Sequence, residues 1–324
     1  MILVTGGTGF IGKALIRHLV ADGQRVRTLI RPSPRSPDLP RGVPVDVAVS
    51  SLTDERGLRA ALVGVDTIFH LASAEGQGPR ASLLQTDIQG TRAVVEAAQD
   101  AGARRIFYVS HLGADRASAY PVLKAKAIAE EFIRRSDLEY TILRSAIVFG
   151  PGDRLTTGMA RIMSALPFIF LIPGDGSVQL QPLWVEDLVT CLAWSLNDTE
   201  TINRSLEIGG PEYLSLQQIT GLVMRAARLR RRVINIGPPY LRGLTVVLES
   251  LLRRLPVSVY WLDYLAVNRT TALDTLPRVF NLMPSRLSQR LDYLRGVRWG
   301  RALARTLLNR PERPKAEQPP PEAR

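Results

Sequence analysis

Short apolar runs alternate with segments of helical hydrophobic spacing along the first 145 residues of the chain. The apolar runs predict buried strands over residues 2–5, 26–30, 45–49, 66–71, 105–110 and 140–144. The spaced segments predict helices over residues 10–21, 53–62, 80–101 and 122–135. Strands that alternate with helices form parallel sheets covered on both faces, so we expect an α/β doubly wound fold of the Rossmann type.

The regular alternation of predicted strands and helices ends after Phe149-Gly150-Pro151-Gly152. The pattern there predicts a helix over 156–172, a strand over 179–184, a helix over 186–196, a strand over 206–208 and a helix over 215–228. Ser215 and Gln218 have the spacing of a capping box at the start of the last helix. We therefore predict a Rossmann domain over residues 1–150 and a smaller mixed C-terminal lobe over 151–308, partly interleaved with the sheet.

Two C-terminal segments stand apart by composition. Residues 240–265 are apolar but are interrupted by charged residues such as Arg242, Arg253 and Arg254. A pair of core helices fits this pattern, and so does an amphipathic segment that contacts a membrane surface or a partner protein. The tail over 309–324 is rich in Pro, Glu and Arg, so we expect it to be disordered.

A glycine-rich turn joins the first predicted strand to the first predicted helix. Gly6, Gly9 and Gly12 are spaced three apart, and this context makes a dinucleotide site the favoured interpretation. Gly6 allows the tight turn, Gly9 lets a pyrophosphate approach the backbone, and Gly12 lets the helix pack closely on the strand. The pyrophosphate then lies at the positive end of the helix. The predicted cofactor contacts of this turn are Gly6, Thr8, Gly9, Phe10, Ile11 and Gly12.

The residue after the second strand indicates which dinucleotide binds. Proteins that prefer NAD usually place an acid there for the ribose 2′-hydroxyl, whereas this chain has Arg31. A guanidinium attracts a 2′-phosphate bidentately. We therefore predict NADP(H) as the cofactor, with NAD(H) as the second choice, and Arg35 is placed to assist Arg31.

Composition narrows the class of protein. The chain has 324 residues, a net charge of +12 and a single cysteine, so no disulfide forms within it and a reducing compartment is expected. Three scattered histidines do not indicate a metal site. No signal peptide or membrane span is predicted, which favours a cytoplasmic protein that is peripheral at the inner face of a membrane if it binds one. No nucleic-acid-binding signature is present, which disfavours a nucleic-acid partner.

Several segments together resemble the extended and atypical short-chain dehydrogenase/reductase superfamily. The turn Thr5-Gly6-Gly7-Thr8-Gly9-Phe10-Ile11-Gly12 looks like its fingerprint, and residues 64–72 resemble its fourth strand and the turn beside the adenosine. That turn implies cofactor contacts from Leu71 and Ala72. Residues 145–152, 184–188 and 208–211 resemble later landmarks. Residues 126–133 look most like the NmrA-like proteins and the nucleotide-binding accessory subunit of respiratory complex I.

The resemblance also implies where catalytic residues are expected. Active members of the superfamily use Tyr-x-x-x-Lys, in which the lysine holds the nicotinamide ribose and the tyrosine acts as acid or base. Tyr120 and Lys124 have this spacing. Alignment by the following Lys-Ala-x-x-Glu instead makes Lys126 the family lysine and leaves Val122 at the tyrosine position. Tyr120 and Lys126 are the predicted catalytic residues, with Lys124 as the alternative.

Two functions follow from the resemblance. One is an NADP-dependent reductase or epimerase that acts on a small carbonyl or sugar-derived substrate. The other is a non-catalytic NADP(H)-binding protein, which senses redox state or stabilises a membrane-associated complex. Many NmrA-like relatives bind a cofactor without established turnover, so the resemblance implies binding more firmly than catalysis.

Overall fold

The first half of the chain forms a regular alternation of strands and helices. A computed structural model describes residues 1–33, 36–75, 82–166, 168–251 and 259–307. Strands β1 to β6 cover Ile2–Thr5, Val26–Ile30, Asp46–Val49, Thr67–His70, Arg105–His111 and Glu139–Ser145. Helices α1 to α4 cover Phe10–Ala21, Glu55–Leu62, Gly90–Asp100 and Pro121–Arg134. The predicted strands and helices of this half are therefore confirmed, with ends that shift by a few residues.

The second half is mixed and contains several very short strands. Its strands are Val148–Phe149 (β7), Ile169–Pro173 (β8), Gln179–Leu180 (β9), Leu183–Trp184 (β10), Arg204–Ile208 (β11), Leu214–Ser215 (β12) and Arg232–Ile236 (β13). Its helices are Thr156–Ala165 (α5), Val185–Trp194 (α6), Leu216–Ala227 (α7), Pro238–Leu251 (α8), Val259–Tyr264 (α9), Thr275–Phe280 (α10) and Trp299–Leu307 (α11).

Seven strands form one parallel sheet in the order β11-β6-β5-β4-β1-β2-β3. The chain runs outward from β1 to β3, then returns to the other side of β1 with β4. The strand order therefore reverses between β1 and β4. In sheets of this kind ligands bind in the crevice outside the carboxyl ends of the strands at that reversal. The expected doubly wound α/β fold is confirmed.

Alternate side chains of the strands pack into two separate hydrophobic cores, one on each face of the sheet. On one face, Phe69 and Phe107 stack with ring centroids 4.6 Å apart, beneath α1 and α6. On the other face, Ile68 and Ile106 pack beneath α2, α3 and α4. Neighbouring residues of a strand point to opposite faces, so each strand contributes to both cores.

The chain returns to this sheet after residue 150. Helix α6 packs on α1 over one face, and β11 adds the outermost strand beside β6. Arg105 of β5 is buried, and its guanidinium donates to the hydroxyls of Thr141 and Thr201 at 2.9 Å each. These bonds hold the turn that precedes β11 against the centre of the sheet.

A third core lies in the C-terminal lobe, between α5, α7 and α11. Here the predicted single helix over 156–172 is wrong. Helix α5 ends at Ala165, and residues Ile169–Pro173 form β8, which pairs in parallel with β13 from Ile169 opposite Arg232 to Pro173 opposite Ile236. Local apolar spacing does not distinguish a short buried strand from the end of a helix, and the partner strand is distant in the chain.

A π-helical segment, Leu84–Gln89, leads directly into α3. The predicted helix over 80–101 is therefore present over 84–100, but its first six residues are π-helical, and residues 80 and 81 lie outside the described ranges. π-Helical turns are frequent at functional sites. The widened turn carries Asp87, which is completely buried.

The segment 240–265 contains α8 and α9, which pack against each other. Leu241 and Thr245 of α8 are buried, whereas Tyr240, Leu244 and Val247 are exposed. The two helices therefore form a pair, but only one face of α8 is buried. No helix within the described ranges has the length and apolar character needed to span a membrane. The tail over 309–324, predicted to be disordered, lies outside the described residues.

The capping box at Ser215 gives a test of local stability. The Ser215 hydroxyl accepts the Gln218 backbone N–H at 3.1 Å, and the Gln218 side chain accepts the Ser215 N–H at 2.8 Å. Ser215→Ala removes the cap, and we expect it to lower the free energy of unfolding by about 1 kcal/mol. Urea denaturation measures this, with the exposed Ser288→Ala as control. Equal stability of the two variants would contradict the assignment.

Candidate functional site

The glycine-rich turn is held by close backbone contacts. Gly6 has φ +71°, and a Cβ atom on it would lie 2.7 Å from the carbonyl of Leu71. A Cβ on Gly12 would lie 2.3 Å from the Gly6 carbonyl oxygen. The Gly9 N–H donates to the same oxygen at 2.9 Å. These contacts require glycine at positions 6 and 12, as the dinucleotide fingerprint predicts.

Helix α1 starts at this turn with its first N–H groups available. Gly9 is the N-cap and contributes no side-chain cap. The first N–H groups of a helix have no partner within the helix, and the helix dipole favours an anion beside them. The arrangement fits the pyrophosphate of a dinucleotide, because the missing Cβ atoms leave the backbone accessible.

A cavity of about 400 Å³ opens beside the turn. The predicted residues Gly6, Gly9, Phe10, Ile11 and Gly12 form one wall, together with Leu71. Residues 145–148 and Gly152, from the loop that resembles the superfamily landmark, form part of another. The remaining lining residues are Ser73, Glu75, Val109, His111, Lys126, Arg154, Leu155 and Tyr264.

Five predicted residues do not line this cavity: Thr8, Arg31, Ala72, Tyr120 and Lys124. Thr8 is exposed at the tip of the turn, and Ala72 donates its N–H to the Thr5 hydroxyl at 3.3 Å. Arg31 is exposed directly after β2. Lys124 is exposed on α4. The carboxyl ends of β1 and β2 lie side by side, so Thr8 and Arg31 are at the same edge of the sheet.

Of the two lysines, Lys126 is the one that faces the cavity. It is 4% exposed, and its Nζ lies 3.4 Å from Asp87 Oδ1 and 5.1 Å from the centre of the Tyr108 ring. Burial lowers its pKa, but the combined effect of Tyr108, Asp87 and Glu75 is larger and raises the pKa above its ordinary value. Lys126 therefore carries a fixed positive charge at neutral pH.

A buried polar network fixes the position of Asp87. The Thr91 hydroxyl donates to the Asp87 carbonyl at 2.6 Å and also contacts His70 Nε2 at 2.9 Å. His70 Nδ1 lies 2.8 Å from the Thr5 hydroxyl at the end of β1. Burial, together with the charge of Lys126, lowers the pKa of His70 to about 3, so the imidazole is neutral. The network joins β1, β4 and the π-helical segment behind the cavity.

Tyr120 lies at the N-cap of α4, outside the cavity lining. Its ring centre is 5.8 Å from the guanidinium carbon of Arg269. Val122, at the aligned tyrosine position, is buried against a small cluster that includes Ala74 and Leu83. The catalytic role of Tyr120 stays a prediction.

Glu75 and His111 form a pair in the cavity wall. His111 Nε2 lies 2.8 Å from Glu75 Oε2, and the Arg154 guanidinium donates to the Glu75 carbonyl at 2.7 Å. Burial raises the pKa of Glu75, but His111, Lys126 and Arg154 outweigh it and lower the pKa to about 2. The carboxylate is therefore ionised, and the pair places two polar groups beside Lys126.

Tyr264 reaches the cavity from α9 of the C-terminal lobe. It is buried, its ring centroid is 5.4 Å from that of His111, and Arg269 lies 5.1 Å from the ring centre. Its hydroxyl has no hydrogen-bond partner among the described residues. Burial raises its pKa, which Arg269 partly opposes, so the phenol stays protonated. Neither Tyr264 nor Asp87 had a sequence signal, because only the fold brings them to the glycine turn.

The close packing at Gly12 gives a test of the cofactor site. In Gly12→Ala the new Cβ must displace the Gly6 carbonyl, so we expect the affinity for NADPH and for NADH to fall by at least about tenfold. Fluorescence titration measures the affinity. Gly221→Ala is the matched control, since a Cβ there meets open space on α7. Unchanged affinity in Gly12→Ala would contradict the site.

The Glu75 carboxylate gives a test by pH. Because its folded pKa of about 2 lies below the ordinary 4.5, its contribution to stability is present above pH 4.5 and is lost as the pH falls towards 2. We expect the difference in unfolding free energy between wild type and Glu75→Gln to shrink over that range. Urea denaturation at successive pH values measures it, with the exposed Glu55→Gln for comparison. A difference that is independent of pH would contradict the Glu75 assignment.

Comparison with known proteins shows which family the chain resembles. A family model described as NAD(P)H-binding matches residues 6–160. A putative dihydroflavonol 4-reductase of Synechocystis is 31% identical over 241 residues, covering 67% of this chain and 69% of that protein. The mitochondrial NADH dehydrogenase [ubiquinone] 1 alpha subcomplex subunit 9 of Arabidopsis thaliana is 25% identical over 281 residues, covering 84% of this chain and 69% of that protein.

A solved structure shares the whole fold. An epimerase from Methanothermobacter thermautotrophicus matches with a TM-score of 0.73 and 20% identity, over 95% of this chain and 94% of that one. The family match covers the glycine turn and Lys126, and the reductase relative extends the likeness over two thirds of both chains. The chain therefore belongs to the NAD(P)H-binding short-chain dehydrogenase/reductase superfamily, within its extended and atypical, NmrA-like branch.

Proposed function

We propose that this protein is an NADP(H)-dependent reductase that acts on a small carbonyl or sugar-derived compound. The observation that carries the proposal is the cavity in which Lys126 faces the glycine turn. A charged lysine at this place suits the hydroxyls of a nicotinamide ribose, and the remaining walls leave space for a small second ligand. The reductase name of the Synechocystis relative supports the same reaction class.

The residues around the cavity have different roles in the proposed reduction. When bound, NADPH would supply the hydride for the carbonyl carbon. Lys126 would hold the nicotinamide ribose, and the Asp87 carboxylate holds the Lys126 ammonium at 3.4 Å. The carbonyl oxygen then needs one proton, for which two hydroxyls compete: Tyr120, predicted from its spacing to Lys124, and Tyr264, which lines the cavity. Tyr264 and Leu155 also narrow the cavity from the C-terminal lobe.

Arg31 supports NADP(H) over NAD(H). It is exposed at the carboxyl end of β2, beside the glycine turn, and it forms no ion pair within the described ranges. Its guanidinium is therefore available to a ribose 2′-phosphate. Arg35, the predicted assistant, lies outside the described residues.

A second candidate is an NADP(H)-binding protein without turnover that acts within a larger assembly. Two observations favour it: Val122 replaces the aligned tyrosine, and Tyr120 does not line the cavity. The Arabidopsis relative, named as a subunit of NADH dehydrogenase, adds support. The two candidates share the cofactor site and differ in whether a substrate is reduced.

Cofactor titrations test the shared part. We expect NADPH to bind more tightly than NADH, and Arg31→Ala to weaken NADPH by about tenfold while leaving NADH unchanged. Lys126→Ala is expected to weaken both cofactors, with the exposed Lys124→Ala as its matched control. Preferential binding of NADH by the wild type would reject the role of Arg31. Equal effects of the two lysine variants would reject Lys126.

Turnover separates the candidates. NADPH oxidation is followed with a panel of aldehydes, ketones and nucleotide sugars, using wild type, Tyr120→Phe and Tyr264→Phe. A reductase shows turnover that one of the two variants abolishes while NADPH affinity stays unchanged, and that variant identifies the proton donor. Binding of NADPH without turnover of any compound favours the second candidate.

A further inference from the structure

An apolar stripe on α8 faces the surface. Tyr240 is 80% exposed, Leu244 44% and Val247 54%, and they follow each other at the i, i+4, i+7 spacing of one helix face. The packing of α8 uses a different stripe, formed by Leu241 and Thr245, which are buried. The exposed stripe is therefore distinct from the stripe that α8 buries.

Apolar exposure continues on the strand pair that precedes α8. Phe168, directly before β8, is 80% exposed, and Ile234 of β13 is 37% exposed. The Arg232 N–H donates to the Phe168 carbonyl at 2.9 Å, so the two residues are adjacent. Only Gly237 separates β13 from α8. We call Phe168, Ile234, Tyr240, Leu244 and Val247 the apolar face.

The stretch of chain that carries most of this face is rich in arginine and lacks acidic residues. Residues 213–248 contain six arginines and no aspartate or glutamate. Arg242 pairs with Asp263 at 3.1 Å, and Arg231 donates to the carbonyls of Met163 and Leu166 at 2.7 Å. The other four are exposed and form no ion pair in the part of the chain that the structure describes: Arg225, Arg228, Arg230 and Arg232.

We infer that the apolar face and these four arginines dock on a membrane surface that contains anionic lipids. The guanidinium groups match lipid phosphates, and the apolar side chains match the boundary between headgroups and acyl chains. Tyr240 and Phe168 protrude singly, as aromatic residues at membrane interfaces do. A protein partner of ordinary acidic surface would use the arginines but would leave five exposed apolar side chains unmatched. The inference concerns attachment and does not depend on the proposed reductase activity.

Sedimentation with lipid vesicles tests the inference on the full chain. Vesicles of phosphatidylcholine alone are compared with vesicles of phosphatidylcholine and phosphatidylglycerol in equal parts. We expect the protein to sediment with the mixed vesicles at least about tenfold more strongly, and the binding to weaken as salt is raised. Absence of binding to the mixed vesicles would overturn the inference.

Two variants separate the contributions. Tyr240→Ser combined with Leu244→Ser removes apolar contact, and Arg228→Gln combined with Arg230→Gln and Arg232→Gln removes charge. Each is expected to lower vesicle binding by about tenfold while NADPH affinity, the measure of intact folding, stays unchanged. The matched controls are Met283→Ser, an 80% exposed apolar residue elsewhere, and the triple Arg25→Gln, Arg41→Gln and Arg56→Gln, which changes exposed arginines elsewhere.

Two results would reject a membrane as the partner. If the control arginine triple weakens binding as much as the test triple, only net charge matters and the docking surface is rejected. If the serine variant binds the vesicles like wild type, the apolar face has no part in attachment and the inference is overturned.

Discussion

The contact of one backbone turn with another is the constraint on which the rest of this structure depends. The turn after β1 lies against the turn after β4, so close that a Cβ on Gly6 would meet the Leu71 carbonyl at 2.7 Å. Helix α1 starts from the same turn and packs on the sheet through Leu15 and Leu19. The crevice at the reversal of strand order is therefore lined by the first turn of α1 and by backbone that no side chain covers. Both features suit the binding of a pyrophosphate.

A buried charge completes the site from the other side. Lys126 enters the cavity from α4, and its ammonium is stabilised by Asp87 rather than by water. A buried ammonium without a partner would be strongly destabilising. The π-helical segment supplies that partner, Asp87, and the network through Thr91 and His70 holds Asp87 in place beside Lys126. The network starts at Thr5, the last residue of β1, and so connects the lysine to the glycine turn.

The C-terminal lobe makes the groove of a Rossmann sheet into a cavity. Arg154, Leu155 and Tyr264 all follow the last strand of the first half, and they close the space above the glycine turn. Arg269 of the same lobe donates to the Leu112 carbonyl at 3.0 Å, which ties the lobe to the loop after β5. In the reductase that we propose, the lobe would therefore select the substrate, whereas the sheet would bind the cofactor.

Local sequence determined those features whose causes lie within a few residues. The spacing of apolar residues, together with the turn residues between segments, predicted β1 to β6 and α1 to α4. The glycine spacing predicted the turn, and Ser215 with Gln218 predicted the start of a helix. The choice of Lys126 over Lys124 was open on paper, because two lysines about 200° apart on one helix are equivalent until the helix has a buried face. Packing of α4 on the sheet buries Lys126 at the cavity and leaves Lys124 exposed. Tertiary structure also converted residues 169–173 from an expected helix end into β8, since β13 supplied the pairing. It alone brought Asp87 and Tyr264 to the cavity, because a contact between residues far apart in the chain leaves no trace in the local pattern of either.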